Sequence, residues 1–463
     1  MNLFFSFLIF LAGSSYATLW QVGPTRTYTM PSQVSGLVQN NDTVEVDPGV
    51  YFQDVCGWYA NNLVLRGVNA FAHLQANFTG YQGKAIWVLG GNNIKVEWIE
   101  FSQCAVPSQN GAGIRQEGSN LTVLNCYFHD NENGILAGTV ANSKITIRNT
   151  EFARNGFGDG LTHNLYINNI DTLVFEYNYS HHAIVGHELK SRAKVNIIRY
   201  NRIGNESTGN ASREMDLPNG GRAIIVGNLV HQGTNSQNSN MFGYGLEGLS
   251  NPGPHDVYMI NNTFVNERPT CSFLQFQTGT GFYKGYNNIF TGTGNYVNGS
   301  FPATIDTAGN WRVTSINAVM LVSYPTYDYH LTALSPARDL GSNPGSIGNF
   351  SLVATEEYVH PVSSLTRCVS TATDAGAHEY CVLGDESPSG VGSFSYPNPA
   401  TDLIHFSERQ DEIRFFTIQG QESGKYSDIS SIDITTLEDG IYLVVCRLGS
   451  KMTSFKVVIF RKN

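Results

Sequence analysis

The feature that most constrains this chain is a strand phrase that returns seven times. Short segments of alternating apolar and polar residues each run into an Asn: LTVLNCYF (121–128), ITIRNTEF (145–152), LVFEYNYS (173–180), VNIIRYNRI (195–203), AIIVGNLV (223–230), VYMINNTF (257–264) and FYKGYNNIF (282–290). The Asn residues fall at 125, 149, 178, 201, 228, 262 and 288, spaced by 24, 29, 23, 27, 34 and 26 residues. NIKVEWIEF (93–101) fits the same frame with Trp98 in the Asn position. A variable period in the twenties, with strands and no helical segments between them, marks a β-solenoid. One coil cannot bury its apolar face alone, so stacking must make a continuous core. The recurrent Asn is expected to form an internal ladder, each amide bonding backbone at the same corner of the next coil.

A second set of short strands lies between these: GIRQ (113–116), GILA (134–137), NLYI (164–167), HELKS (187–191), EMDLP (214–218), YGLEG (244–248) and FLQFQ (273–277). Aligning Ile114, Ile135, Leu165, Leu189, Leu217, Leu246 and Leu274 as inward residues completes each coil, although Met215 shares the parity of Leu217. Composition agrees with many strands and tight turns: charged residues are only 14%, aromatics 12%, and 47 residues are Gly.

The segment Thr43-Val44-Glu45-Val46-Asp47-Pro48-Gly49-Val50-Tyr51 resembles the entry phrase of right-handed parallel β-helix proteins. DYHLTALSPARDLG (328–341) and TDAGAHEYC (373–381) resemble their closing phrases. The resemblance implies an all-β chain whose first large domain, 18–382, is a right-handed parallel β-helix. Residues 383–394 fall in a Gly/Ser/Pro-rich stretch that reads as a linker. From 395 to 463 the alternating strands and evenly spaced turns suggest a small β-sandwich. Tyr396-Pro397-Asn398-Pro399-Ala400, the LxxGIYLV phrase at 437–444 and Lys456-Val457-Val458 resemble the C-terminal sorting domain of the type IX secretion system. That resemblance implies the type IX machinery as a partner, and a secreted or outer-membrane surface location.

Residues 1–17 fit a secretory signal peptide, with an apolar run from Leu3 to Ala12 and the small-x-small ending Ser15-Tyr16-Ala17. Export permits disulfides. Of seven Cys, Cys368 and Cys381 flank one short segment and could pair; Cys104 and Cys126 could pair or stack as thiols. The net charge of −10 argues against nucleic acid as a partner. It leaves room for an acidic polysaccharide met by a local basic patch or a bound cation. A monomer is expected.

Ionisable residues concentrate between Gly160 and Arg222. With Leu165, Leu189 and Leu217 inward, strand alternation puts Asn164, Glu188 and Asp216 in one outward row, with Tyr166 and Lys190 beside it, coils about 4.8 Å apart. Arg192 follows on the Lys190 parity, Glu214 shares that of Asp216, and His163 and His187 take equivalent places one coil apart. Such a set suits eliminative cleavage of a uronate polymer. That reaction needs the carboxylate neutralised, a base for the C5 proton and an acid for the leaving oxygen. Asn164, Glu188 and Asp216 are candidate calcium ligands. Lys190 is the candidate base, its pKa depressed by Arg192 and desolvation with Glu188 opposing. Tyr166, His163 or His187 is the candidate acid. Arg213, Arg222, Asn219, Tyr244 and Glu247 are candidate substrate contacts.

GHELKSRAKVNIIRYN (186–201) resembles the catalytic coil of the β-helical polysaccharide lyase family that includes alginate lyases and chondroitinase B. There Lys190 matches the family's base, and Glu188 lies near its calcium-binding acids. The next coil departs: Pro218 stands where the family has its Arg, leaving Arg213 or Arg222 to substitute. Two other readings remain open. A hydrolase would draw paired carboxylates from Glu188, Glu214 and Asp216. A non-catalytic glycan-binding or adhesin protein would need no focused ionisable cluster.

Overall fold

The computed structural model describes residues 17–368 and 372–381, and then 395–396, 400, 402–417, 421–449, 451–459 and 461. Most of the expected signal peptide and the expected linker lie outside these residues. The chain divides into two compact units between Cys381 and Val382. Among the described residues no helix is long and apolar enough to cross a membrane.

The first unit is a right-handed solenoid of three parallel sheets, here called A, B and C, with 12, 11 and 10 strands among the described residues. Each full coil contributes one strand to each sheet in that order. Thr172–Glu176 (A), Tyr179–His181 (B) and His187–Ser191 (C) make one coil, and Val195–Arg199 (A) begins the next. Inward residues stack between coils. On sheet B, Phe101, Phe128 and Phe152 lie nearly parallel, 4.8 and 5.1 Å apart. A short helix, Ser32–Ser35, sets Val34 into the core of the first coils.

The Asn ladder is present, offset from its expected start. Asn178, Asn201, Asn228, Asn262, Asn288 and Asn310 each accept the backbone N–H of the residue one coil earlier, from Thr150 onward. The position before the ladder residue is a tight corner with positive φ: Trp98, Asn125, Asn149, Tyr177, Tyr200, Gly227, Asn261 and Asn287. Asn125 and Asn149 therefore belong to this corner, and Cys126 and Thr150 take the ladder place in their coils. Asn favours both sites for different reasons, since its short amide tolerates the left-handed conformation and also bonds backbone.

The two roles separate on mutation. Asn228 Oδ1 accepts from the backbone N–H and the amide of Asn201, and Asn228 Nδ2 donates to the Ile198 carbonyl. Asn228→Leu leaves these buried groups unpaired and is expected to cost about 3–5 kcal/mol in denaturant unfolding, at 1–3 kcal/mol per orphaned group. Asn125→Ala, which only replaces an amide side chain that tolerates the left-handed corner by a methyl that does not, is expected to cost about 1 kcal/mol.

After the last parallel strands, residues 316–368 and 372–381 fold back along the outside of the solenoid. Leu352 and Ala354 pack on Tyr200, Ile224, Val226 and Ile260, while Tyr329 and Tyr358 pack on Leu229 and Val265. Cys368 and Cys381 are disulfide-bonded. Cys104 and Cys126 are separate buried thiols, both pushed up to about 12 by burial. In the C-terminal unit, among the described residues, five strands form an antiparallel sheet around Ile404, Phe406, Ile413, Phe415, Ile432 and Val444.

Candidate active site

The site grows from the registers of sheet C. Arg115, Leu136, Tyr166, Lys190, Asp216, Gly243 and Gln275 pair in sequence from coil to coil, one outward row up the sheet. Tyr166 and Lys190 are neighbours, as strand parity requires. Asp216 stacks on Lys190, because Leu189 pairs with Met215 and not with Leu217. The inward column reads Ile114, Ile135, Leu165, Leu189, Met215, Phe242 and Leu274. Leu217 lies two residues along its strand, and Leu246 lies past the end of Asn240–Tyr244.

Asn164 and Glu188 do not join the outward row. Both are fully buried, as is Glu214. The pairing on sheet C skips this position in coil after coil, as at Gly113, Glu188, Glu214 and Met241, so two successive residues turn inward at the start of these strands. Asn131, Asn155, Asn164 and Glu188 then form a second interior ladder. Asn155 Nδ2 donates to Asn164 Oδ1 at 2.9 Å and Asn164 Nδ2 to Glu188 Oε2 at 2.5 Å. Ser180 Oγ and the Ala183 N–H also donate to the Glu188 carboxyl. Burial pushes Glu188 up to about 8 against these bonds, and pushes Glu214 well above the carboxylate range.

The outward cluster is built from three coils and one loop. Lys190 Nζ lies 2.9 Å from Glu247 Oε1 and 3.9 Å from Asp216 Oδ2. Arg192 holds three groups at once: Nε donates to the Tyr166 hydroxyl at 2.9 Å, Nη1 to Asn219 Oδ1 at 2.5 Å, and Nη2 to Glu247 Oε2 at 2.5 Å. Arg213 Nη1 donates to Asp216 Oδ1 at 2.8 Å. Gly243 lets this pair lie flat, since a β-carbon there would sit 2.8 Å from Asp216 Oδ1. Burial raises the Asp216 carboxyl, with Arg213 and Lys190 opposing. Burial also raises Glu247, but its bonds to Lys190 and Arg192 hold it below its ordinary value.

His163 and His187 lie beneath this surface, stacked with centroids 4.8 Å apart. His163 Nδ1 accepts the His187 N–H, and His187 Nε2 lies 3.5 Å from Asp216 Oδ2. Burial lowers His163 to about 3 and His187 well below its usual range, so both rings are neutral at neutral pH and support Asp216 and Tyr166 from below.

Beside Tyr166 opens a cleft of about 420 Å³, with Arg115 and Leu136 on its floor and Asp159, Leu161 and Thr162 from the 154–164 loop on its wall. Lys190, Arg192, Tyr166, Asp216, Glu247, Asn219 and Arg213 thus come together beside an open groove. Two expected contacts do not. Tyr244 is fully buried, its hydroxyl donating to the Gly221 carbonyl. Arg222 is on sheet A, paired with Asp256 at 2.7 Å. Arg115 and Asp159 belong to the groove and were not anticipated. Arg115 was readable as the outward residue of GIRQ, whereas Asp159 sits on an irregular loop with no periodic signal.

The expected calcium ligands do not form one site. Asn164 and Glu188 face the interior, whereas Asp216 belongs to the outward row, where it is buried and bonded to Arg213 with Lys190 nearby. A hard divalent cation needs several free oxygens converging, and this set does not fit it.

Residues 48–211 match the family model described as the right handed beta helix region, and residues 395–460 match the secretion system C-terminal sorting domain. No curated protein matches the chain in sequence. Among solved structures, pectate lyase Pel9A superposes with a TM-score of 0.53 at 15% identity, covering 79% of this chain and 97% of its own. The A-module of mannuronan C-5 epimerase AlgE6 from Azotobacter vinelandii gives 0.37 at 14% identity, covering 61% of this chain and 93% of its own. Pectin methylesterase PemA from Erwinia chrysanthemi gives 0.31 at 11%, covering 50% and 82%. The chain is a right-handed parallel β-helix carrying a C-terminal sorting domain of the type IX secretion system, which directs it to the cell surface or the extracellular space.

Proposed function

We propose that the protein is a secreted lyase that cleaves a uronic-acid polysaccharide by β-elimination in the groove of sheet C. The observation that carries this is the convergence of Lys190, Arg192 and Tyr166 beside an open cleft, on a solenoid sharing its fold with a pectate lyase. In this reading the sugar lies along the row. The Arg192 guanidinium takes over the uronate carboxylate and draws charge from C5. Substrate entry displaces the half-exposed Glu247 from Lys190. Lys190, freed of that partner, first gives its ammonium proton to solvent; the neutral Nζ then removes the C5 proton, the C4–O bond breaks, the C4=C5 double bond forms, and the Tyr166 hydroxyl protonates the departing oxygen. Arg213 and His187 position Asp216 under Lys190. No step runs through calcium.

The test is direct. Full-length protein is incubated with polygalacturonate, alginate and glycosaminoglycan uronates, and the ultraviolet absorbance of the unsaturated product is followed. Absorbance is expected to rise on at least one polymer, at a rate that chelator leaves unchanged. Silence on every uronate polymer overturns the lyase, and abolition by chelator overturns the metal-free scheme.

One observation favours a second reading. Asp216 and Glu247 flank Lys190 with carboxyls shifted in opposite directions, up and down. Such a pair suits the acid and base of a glycoside hydrolase. That enzyme would release reducing ends without an unsaturated product, and Asp216→Asn and Glu247→Gln would each abolish the release.

A further inference from the structure

A second cluster of ionisable side chains lies on sheet B, away from the groove. Strands Ala72–Gln75, Ile99–Ser102 and Tyr127–His129 are consecutive in that sheet. Ala72, Leu74, Ile99, Phe101 and Phe128 face the core, so His73, Glu100, Tyr127 and His129 face out. His73, Glu100 and Tyr127 are in register from coil to coil, with His129 two residues further on. Glu100 Oε1 lies 3.0 Å from His129 Nε2 and 3.5 Å from His73 Nε2. The three candidate ligand atoms are within 4.8 Å of one another.

The surroundings orient these groups. His129 Nδ1 lies 2.6 Å from Asp130 Oδ2, and Arg154 holds that carboxylate through Nε and Nη2, both at 2.9 Å. An Nδ1–H donated to Asp130 leaves Nε2 turned toward Glu100. Tyr127 stacks on the imidazole at 4.3 Å and fixes its plane. Ser102 Oγ lies 2.7 Å from His73 Nε2, a bond that the ion would displace. A carboxylate behind one imidazole, with a second imidazole and a carboxylate in front, is the two-layer arrangement of a histidine metal site.

We propose that His73, Glu100 and His129 form a binding site for a borderline divalent transition metal, zinc in the first instance, with a coordination position left open to solvent. Two imidazole nitrogens and one carboxylate match the donor preference of zinc and not that of calcium or magnesium. All three ligands are only half-buried, so the ion can enter and exchange. Its role follows from where it sits. Later coils of sheet B are covered by the segment that follows the solenoid, through Tyr329 and Tyr358 on Leu229 and Val265. The bound ion would tie three early coils together from outside. Without an ion the same geometry is that of a histidinium held between Asp130 and Glu100.

The experiment uses the full-length protein, freed of metal by chelator and titrated with Co²⁺ and Zn²⁺. About one equivalent of Co²⁺ is expected at this site, with the intense visible bands of four-coordinate cobalt, displaced by Zn²⁺. His73→Gln and His129→Gln should each abolish those bands. Asp130→Asn should weaken binding by about 10–100-fold, the usual effect of losing an outer partner. Metal-free melting temperatures of all variants are measured alongside, so that a misfolded variant is recognised. His330, Glu357 and His378 form another group with close ligand atoms. Uptake that survives both His73→Gln and His129→Gln would assign the metal elsewhere and overturn the proposal. No uptake by the wild-type protein would overturn it too, leaving the histidinium ion pair.

Discussion

Lys190→Ala is expected to lower kcat for eliminative cleavage by about 10²–10⁴-fold, the range for loss of a positioned proton-transfer group. Its neighbours explain why the effect should be catalytic. Lys190 is the central member of the Tyr166–Lys190–Asp216 row, and of its two neighbours Tyr166 is given the acid's role while Asp216 is tied to Arg213. Removing it leaves the Asp216–Arg213 and Arg192–Glu247 pairs intact. The fold should therefore be little affected, and a thermal midpoint close to wild type is part of the expected result. Lys190→Arg should not rescue, because a guanidinium keeps charge and reach but cannot be deprotonated. Tyr166→Phe removes the proposed acid and the acceptor for Arg192 Nε, so it should also reduce kcat while leaving the cleft's shape unchanged. A Lys190→Ala enzyme with wild-type kcat would remove Lys190 from the mechanism. A loss shared equally by Lys190→Ala and Lys190→Arg, with KM unaltered, is the pattern of a base.

Much of this site could be read from the chain, and each failure has its own physical origin. The coil repeat was legible because each coil must present an apolar strand to the core, and the Tyr166–Lys190 neighbourhood followed from alternation alone. Alternation then misplaced Asn164 and Glu188. Period two holds only while pairing is regular, and sheet C skips a pairing position at the start of these strands. The interior tolerates the resulting inward polar column because Asn131, Asn155, Asn164 and Ser180 bond to one another and to Glu188. The second failure concerns register between coils. Met215 and Leu217 both face inward, so hydrophobicity could not say which of them follows Leu189, and the two-residue choice moved Asp216 from beside Glu188 to beside Lys190. Glu247 became a partner of Lys190 and Arg192 by loop geometry across 57 and 55 residues. No periodicity encodes that.

The misplaced Glu188 carries the second large prediction, a fall in stability toward alkaline pH. Its folded pKa, about 8, is raised above its ordinary 4.5. The native state therefore holds a proton that the unfolded chain has released. The stabilising contribution is complete below the unfolded value and is lost as pH rises through the folded one. Glu214, raised in the same direction by burial and by Glu188 itself, acts with the same sign. The buried histidines act oppositely. His163 and His187 are depressed below their ordinary 6.5, so their contribution is present above 6.5 and lost as pH falls. Between 4.5 and 6.5 the two sets oppose each other; from 6.5 to about 8 only the carboxyls change. In that upper window Glu188 alone should cost about 2 kcal/mol, at about 1.4 kcal/mol per pH unit. Glu188→Gln replaces a buried neutral acid by a group of the same shape that cannot ionise. Relative to its own value near pH 5, its midpoint should fall by about 2–3 degrees less than that of the wild type toward pH 8, flattening the alkaline slope. Unfolding followed at matched scan rates across this range, for wild type and Glu188→Gln, reads the difference. Parallel curves for the two proteins would show that Glu188 is already ionised inside the solenoid, compensated by a charge that the interior ladder does not supply.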